Sequence, residues 1–315
     1  MPSSAVRKFS DPVEYFTGIR NLQIVGLIEQ RGEFRARSTR VDLHRLWMHR
    51  FDEDLPRIMK VRPSGRRAVV MFATRSDQPA MQVNGIEISQ NEIVKFGLGW
   101  EWYFRSSAAC EWSTMSLAPG DFVAAGESII GRELLPPTFA RSIAPPPAAL
   151  SRLRKVHDAA AHLAETAPDI LAKPEVARAM EQALIEAVVF CLDDSHSDEV
   201  RNVERQRARM LRRLEEVLVA NSEQPLYMAE LCAQVGASYW TLRDCCLEYL
   251  GMSPKHYLWL RRMHLARRAL RGANAEKTTV TEVATNYGFW ELGRFSVAYR
   301  SLFGVSPSTT LHQTA

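Results

Sequence analysis

The sequence predicts an α+β protein: a β-barrel followed by helices, then an all-α domain with two helix-turn-helix motifs joined by a helix. Three observations carry that reading. Residues 1–135 hold short apolar runs that alternate with polar residues or are β-branched, which is the period of strands. Residues 136–147, "PPTFARSIAPPP", place five prolines in twelve positions. Near the C-terminus, "ELCAQVGASYWTLRDCCLEYLGMSP" (Glu230–Pro254) and "EVATNYGFWELGRFSVAYRSLFGVSP" (Glu282–Pro307) share one rhythm. Each is a short apolar helix, a glycine, a second helix and Gly-x-Ser-Pro.

Taken in order, "RAVVMFAT", "AMQVNGIEIS" and "EIVKFG" read as strands, with Asn84-Gly85 as a hairpin turn. Many short strands separated by turns suggest a barrel or jelly roll. The prolines of 136–147 are expected to continue neither a helix nor a ladder, so the segment reads as a linker or strap. Leu150, Leu153, Val156, Ala160 and Leu163 then recur at helical spacing, as do Val176, Met180, Leu184, Val188 and Cys191 after Pro174. Two such apolar faces need a partner, either the barrel or a second subunit. A third, arginine-rich helix near 199–220 carries a narrower stripe of Met210, Leu211, Leu214 and Leu218 and reads as a bridge. The expected units are a barrel at 1–135, a strap with helices at 136–198, a linker helix at 199–221 and a final domain at 222–315.

In the first repeated unit, Leu226, Met228, Leu231, Cys232 and Val235 make one helix face. Gly236 allows the sharp turn, and Ser238 is placed to cap the next helix. In the second, Thr279-x-x-Glu282 is a capping box, and Gly288 takes the place of Gly236. The link "SPKHYLWLRRMHLARRALRG" is a helix about 27 Å long at 1.5 Å per residue. One turn of B-DNA is about 34 Å. A strut of that length can hold two reading helices near successive major grooves, which gives the repeat a purpose.

Charge agrees with this. From Glu199 onward 16 Lys and Arg stand against 11 Asp and Glu, while the whole chain is only +4. All the excess positive charge therefore lies in the C-terminal third, as a polyanion partner requires; the plainer alternative is a solvated helix surface. The five cysteines show no CxxC spacing, so reduced thiols and a cytoplasmic location are expected. No apolar run reaches membrane-spanning length, and the first residues lack a secretory core. No nucleophile elbow, Walker loop or HExxH occurs, and His44 and His49 do not have a metal-ligand spacing. The expectation is a protein that is not an enzyme, with no cofactor and no metal.

Residues 222–311 resemble the C-terminal DNA-binding domain of the AraC/XylS family of bacterial transcription regulators. The matching positions are Leu231, Gly236, Leu242, Gly251, Ser253-Pro254, Tyr257, Arg262, Ala266 and Leu270. In the second half they are Val283, Ala284, Gly288-Phe289, Phe295, Tyr299-Arg300, Phe303-Gly304 and Ser306-Pro307. Two positions depart from the pattern: Tyr227 stands where a capping Ser or Thr is usual, and Trp290 replaces a common Ser. Residues 1–198 resemble the regulatory half of such proteins, a cupin-like barrel with a proline-rich strap and dimerising helices. The resemblance implies a ligand-controlled regulator, most often an activator that contacts RNA polymerase. A second reading is a constitutive regulator whose barrel serves only assembly or contact with a partner protein.

The residues facing away from Leu242, Cys245 and Cys246 are Tyr239, Trp240, Arg243 and Asp244. In the second reading helix they are Glu291, Leu292, Arg294 and Val297. Arg243 and Arg294 suit guanine O6 and N7, and Arg300 suits phosphate. Trp240 reads most simply as a core aromatic, but its place one turn from the exposed Arg243 favours the groove side; Leu292 and Val297 suit contact with a thymine methyl, with simple packing as the alternative. For the effector, Arg31, Arg35 and Arg37 would share a face if 31–40 is a strand. Arg31-x-x-x-Arg35 also looks like a short cyclic-dinucleotide motif, so a small-molecule or cyclic-dinucleotide effector is one reading; a solvated basic edge is the favoured one. The aromatics Trp100, Trp102, Tyr103, Phe104 and Trp112 suit a ligand pocket or, more simply, barrel core. A homodimer is expected through Leu153, Val156, Leu163, Met180, Leu184 and Val188, with packing on the chain's own barrel as the alternative.

Overall fold

The computed structural model describes residues 2–19, 22–30, 32–63, 67–99, 101–138, 140–193, 203–221, 226 and 228–312. The N-terminal unit runs β1 (Ser3–Phe9), α1 (Pro12–Gly18), β2 (Leu22–Ile28), β3 (Ala36–Asp42), β4 (Trp47–Glu53), β5 (Arg57–Pro63) and β6 (Ala68–Ala73). It continues with β7 (Met81–Val83), β8 (Ile86–Ile88), β9 (Ile93–Phe96), β10 (Trp102–Ser106), β11 (Cys110–Leu117), α2 (Pro119–Ile130) and β12 (Arg141–Ile143). Then come α3 (Pro147–Thr166), α4 (Pro168–Leu171) and α5 (Pro174–Cys191).

The strands form two antiparallel sheets, one ordered β1-β3-β4-β11-β6-β9-β12 and the other β2-β5-β10-β7-β8. Period-2 alternation sends each strand's residues to two different cores. In β6, Val69, Met71 and Ala73 point between the sheets, where they meet Met59, Val61, Trp102, Phe104 and Trp112. Their neighbours Ala68, Val70 and Phe72 point outward into a second core with α2, α3 and α5. The whole of β6 is buried because both faces are covered. Asn84 takes φ 52° and Gly85 φ 79°, so the expected Asn-Gly hairpin turn forms between β7 and β8.

Several expectations need correction. Residues 1–135 contain two helices, α1 and α2, beside the strands. Asp11 caps α1 by accepting from Val13 N and Glu14 N, and Pro119 opens α2. The strap does join a ladder: Arg141–Ile143 pairs with β9 as an edge strand. It fits between Pro137 and Pro145 because three residues on a sheet edge need few donors.

The apolar stripes of α3 and α5 pack on the chain's own seven-stranded sheet. Leu153, Leu184 and Val188 are fully buried against the outer face of the seven-stranded sheet, and Val156, Leu163 and Met180 pack partly buried on the same core. Three of the six residues expected at a dimer interface are thus the chain's own core, and the other three pack at its edge. Glu181, also buried, accepts from the backbone N–H of Leu46 at 3.0 Å and from that of Arg45, which fastens α5 to the β3–β4 turn.

The C-terminal unit comprises α6 (Val203–Ala220), α7 (Met228–Val235), α8 (Tyr239–Leu250), α9 (Pro254–Gly272), α10 (Val280–Asn286), α11 (Leu292–Phe303) and α12 (Pro307–His312). The described part of the expected bridge, α6, belongs to this unit's core. Leu211, Leu214 and Leu218 are buried among Leu231, Leu242 and Leu260. Buried Glu215 accepts from Tyr257 Oη at 2.6 Å and pairs with Arg261 at 3.0 Å, tying α6 to α9. A narrow stripe was enough because it fills a groove between other helices.

Candidate nucleic-acid interface

Each helix pair is held by its turn. Gly236 has φ 73° and Gly288 φ 76°, a region that side chains with a Cβ rarely enter. Gly251 and Gly304 end α8 and α11 in the same left-handed conformation. Ser238 caps α8 by accepting from Thr241 N at 3.2 Å. Thr279 caps α10 by accepting from Glu282 N at 3.1 Å. The position before α11 differs: Glu291 makes no side-chain cap, a consequence of Trp290 and Glu291 standing where a small hydroxyl would cap. Glu291 instead pairs with Arg294 at 2.7 Å.

The buried sides of the two reading helices are fixed by Leu242, Cys245, Cys246 and Tyr249 in α8 and by Phe295, Tyr299, Leu302 and Phe303 in α11. Burial pushes the Cys246 thiol far up and holds it neutral. Tyr299 Oη meets Thr310 Oγ1 at 3.0 Å and locks α12 onto α11. The opposite sides are open. Tyr239, Trp240, Asp244, Glu291, Leu292, Arg294, Val297 and Arg300 are all exposed, and Arg243 is half-buried.

Trp240 and Val297 show that burial is not their role here: 67% and 73% of their surfaces are exposed. The guanidinium of Arg243 lies 5.5 Å from the Trp240 ring centroid and 3.6 Å from Asp244. Tyr239 meets Trp240 edge-on at 5.4 Å. These contacts pre-order the head of α8 as a flat aromatic and cationic surface. Trp290, which the residue pattern marked only as a departure, is 72% exposed just before the cap of α11, where Ser238 stands in the first unit.

Of the expected effector arginines, Arg35 and Arg37 are held by different carboxylates. Arg31 lies outside the described residues. Arg35 precedes β3 and pairs with Glu33 at 2.8 Å on the surface, whereas Arg37 lies on β3 between Asp52 and Glu165, both at 3.4 Å. Each of these two has a carboxylate partner of its own. Trp102, Tyr103, Phe104 and Trp112 are buried core, with Phe51 and Trp112 stacked at 4.2 Å and Phe96 and Trp102 at 4.0 Å. Trp100 lies outside the described residues. Among the described residues no group of three or more metal-ligating side chains is assembled, and no helix is long and apolar enough to cross a membrane.

The helix pairs are also seated on the barrel. Leu27, Ile58 and Tyr103, from the outer face of the five-stranded sheet, join the C-terminal core. Tyr103 Oη donates to Leu211 O at 3.4 Å, and a His264 ring nitrogen lies 3.4 Å from Ile28 O. Asp11 receives Arg267 at 3.4 Å and also Arg271. Burial depresses the His264 imidazole to about 4 and lowers the Arg267 guanidinium as well.

Residues 231–313 match the family model described as a helix-turn-helix domain. The chain is 31% identical over 145 residues to the probable thc operon regulatory protein of Rhodococcus erythropolis, covering 46% of this chain and 44% of that one. It is 40% identical over 86 residues to XylDLEGF operon transcriptional activator 1 of Pseudomonas putida, covering 27% and 25%. The C-terminal helix pairs match a helix-turn-helix domain and are similar to segments of these bacterial regulators. The chain thus spans less than half the length of these two relatives. The fold also overlays the AraC-like transcriptional activator CuxR with a TM-score of 0.42 at 15% identity, over 86% of this chain and 97% of that one. Set beside the AraC/XylS pattern, Gly236, Gly251, Gly288 and Gly304 are its four turn and cap glycines, and α9 is its connecting helix.

Proposed function

We propose that this chain is a sequence-specific, DNA-binding transcription regulator that presents α8 and α11 to two major-groove segments on one face of the duplex. The observation that carries it is the pair of open faces, one with exposed Trp240 beside Arg243 on α8 and the other with exposed Arg294 and Val297 on α11 and Trp290 just before it, on helices whose other sides are fully packed. The 19 residues of α9 span about 28 Å, close to one turn of B-DNA. Arg243 and Arg294 are the base readers, each suited to guanine O6 and N7. Trp240, Leu292 and Val297 supply apolar contact to thymine methyl groups. Arg300, at the flank of α11, meets phosphate.

Activation, through contact with RNA polymerase, is the favoured mode, since a similar Pseudomonas putida protein bears the name of an activator. Control from the N-terminal unit is favoured over a constitutive role because that unit touches α6 and α9, the two helices that brace the first reading helix. Action on DNA places the chain in the cytoplasm. Fluorescence anisotropy of the full chain on promoter fragments tests the reading. Log affinity should fall with log salt by about 0.9 per phosphate contact, and a preferred site should emerge over random duplex. Binding that ignores salt, or no preference among duplexes, rejects it.

A further inference from the structure

The two reading helices carry their arginines differently. The Arg243 guanidinium lies 5.5 Å from the Trp240 ring centroid and 3.6 Å from Asp244. Arg294 projects into solvent, its side chain 85% exposed, and Glu291 holds it at 2.7 Å from one turn away. Glu291 is the N-cap residue of α11, and its backbone oxygen accepts from Phe295 N at 2.9 Å. An acidic side chain at an N-cap ordinarily turns back to accept from the helix's own first N–H groups. Here it makes no such bond and reaches the guanidinium instead. The helix dipole favours negative charge at this end. A phosphate-lined groove does not, so a carboxylate there weakens binding to every duplex alike unless a base donates to it.

A reading helix meets base edges with its N-terminal residues, and Glu291 and Arg294 occupy that end of α11. In the major groove a G·C pair presents two acceptors, guanine N7 and O6, and then one donor, cytosine N4. The ion pair presents the complement: the donors of a planar guanidinium, then an acceptor. An A·T pair ends instead on thymine O4, which repels a carboxylate. We propose that Glu291 and Arg294 act as one reading unit for a G·C pair, Arg294 donating to guanine N7 and O6 and Glu291 accepting from cytosine N4. The proposal rests on the reading of α11 as a groove-facing helix. Glu291 also orders the long Arg294 side chain before DNA arrives. It keeps that arginine from settling on any phosphate, since the move would leave the carboxylate alone beside the backbone. A G·C pair in one orientation satisfies both groups at once.

The test is selection of sites from random duplexes by the full chain, then fluorescence anisotropy on the selected site. The chain should select a G·C pair at the position where Arg294→Ala loses its preference. Replacing only the cytosine of that pair by pyrimidinone, which lacks the amino group, should weaken the wild-type chain roughly tenfold. The same replacement should change Glu291→Ala less than about twofold, because the acceptor is gone. Glu291→Gln keeps an uncharged acceptor and should fall between the two. Affinity of both variants for random duplex should rise. The Glu291 side chain is 63% exposed and makes no cap bond, so both variants are expected to keep the fold, checked by circular dichroism. Glu175→Gln removes the same charge from the exposed side of α5 and should leave base preference unchanged. An equal penalty for pyrimidinone in wild type and Glu291→Ala overturns the reading unit, as does a selected site with no G·C pair at the Arg294 position. So does Glu291→Ala tightening all duplexes alike with preference intact, which leaves the carboxylate a mere counter-charge. A wild-type chain that selects no site rejects the regulator reading and this unit with it. One that selects a site indifferent to Glu291 loses this unit alone.

Discussion

The two sheets cover their outer faces in different ways. The seven-stranded sheet is covered by α2, α3 and α5, which bury a continuous set of aliphatic side chains, including Leu153, Leu184 and Val188. The five-stranded sheet is covered by the C-terminal unit, and among the described residues its buried contribution to that shared core is Leu27, Ile58 and Tyr103. Around these three the contacts are polar: Asp11 with Arg267 and Arg271, His264 with Ile28 O, Tyr103 with Leu211 O. The first cover behaves as core, where separation exposes large apolar area. The second resembles a contact between subunits, small enough to be biased by a ligand or by pH. The difference teaches that, under the proposed function, control acts at the second cover, the smaller and more polar of the two.

The largest expected effect is on the first cover. Leu184→Ala should lower unfolding stability by about 2–5 kcal/mol, measured by urea denaturation, because it leaves a cavity under a fully packed helix. A loss below 1 kcal/mol, or a change in oligomeric state instead, would return α5 to an intersubunit role.

Acid should act on the second cover. His264 titrates near 4 when docked, against an ordinary 6.5. The folded state thus disfavours its proton, so this stability is fully present above pH 6.5 and is lost as pH falls toward 4, by about 3 kcal/mol at most. His49, buried on β4, is also depressed to about 4 and adds a similar loss within the barrel. Small-angle scattering of the full chain from pH 7 to 4.5 should show separation of the units before unfolding, and His264→Gln should flatten that step while leaving the His49 contribution.

Between these and the smallest effect lie the reading arginines. Arg243→Ala and Arg294→Ala should each cost about 1–3 kcal/mol of specific binding and relax preference at separate positions of the site. Footprints that place both within half a turn of each other would break the two-groove geometry. Asp11→Asn sharpens the comparison further. Asparagine keeps the cap on α1 but removes the charge facing Arg267 and Arg271, so a loss of about 1–2 kcal/mol in docking is expected, with α1 intact by circular dichroism. The smallest change is Arg300→Ala: affinity should fall alike on all sequences, with the salt slope reduced by about 1.

What could be read without coordinates was local. The glycine turns at Gly236 and Gly288, the Ser238 and Thr279 caps, and the apolar faces of α8 and α11 each follow from a few neighbouring residues, because turn geometry, capping and helical period act over one to four positions. The double helix-turn-helix architecture was therefore legible from the residues, and so was the set of side chains that point away from its core. The apolar stripes of α3 and α5 were equally visible, but a stripe states only that something covers it. Whether Leu184 meets a neighbour's helix or the chain's own Val70 and Phe72 depends on contacts more than a hundred residues away, which no local pattern encodes. The same holds for Arg37, whose side chain was taken by Asp52 and Glu165, whereas Arg35 pairs with its near neighbour Glu33. It holds too for Lys95 and Arg141, which became neighbours only when a strap full of prolines gave three residues to a sheet edge. Sequence determined the elements and their buried faces, since these follow from short-range sterics and period; tertiary structure alone decided the partners, since long-range pairing is chosen by which apolar and charged surfaces fit together at once.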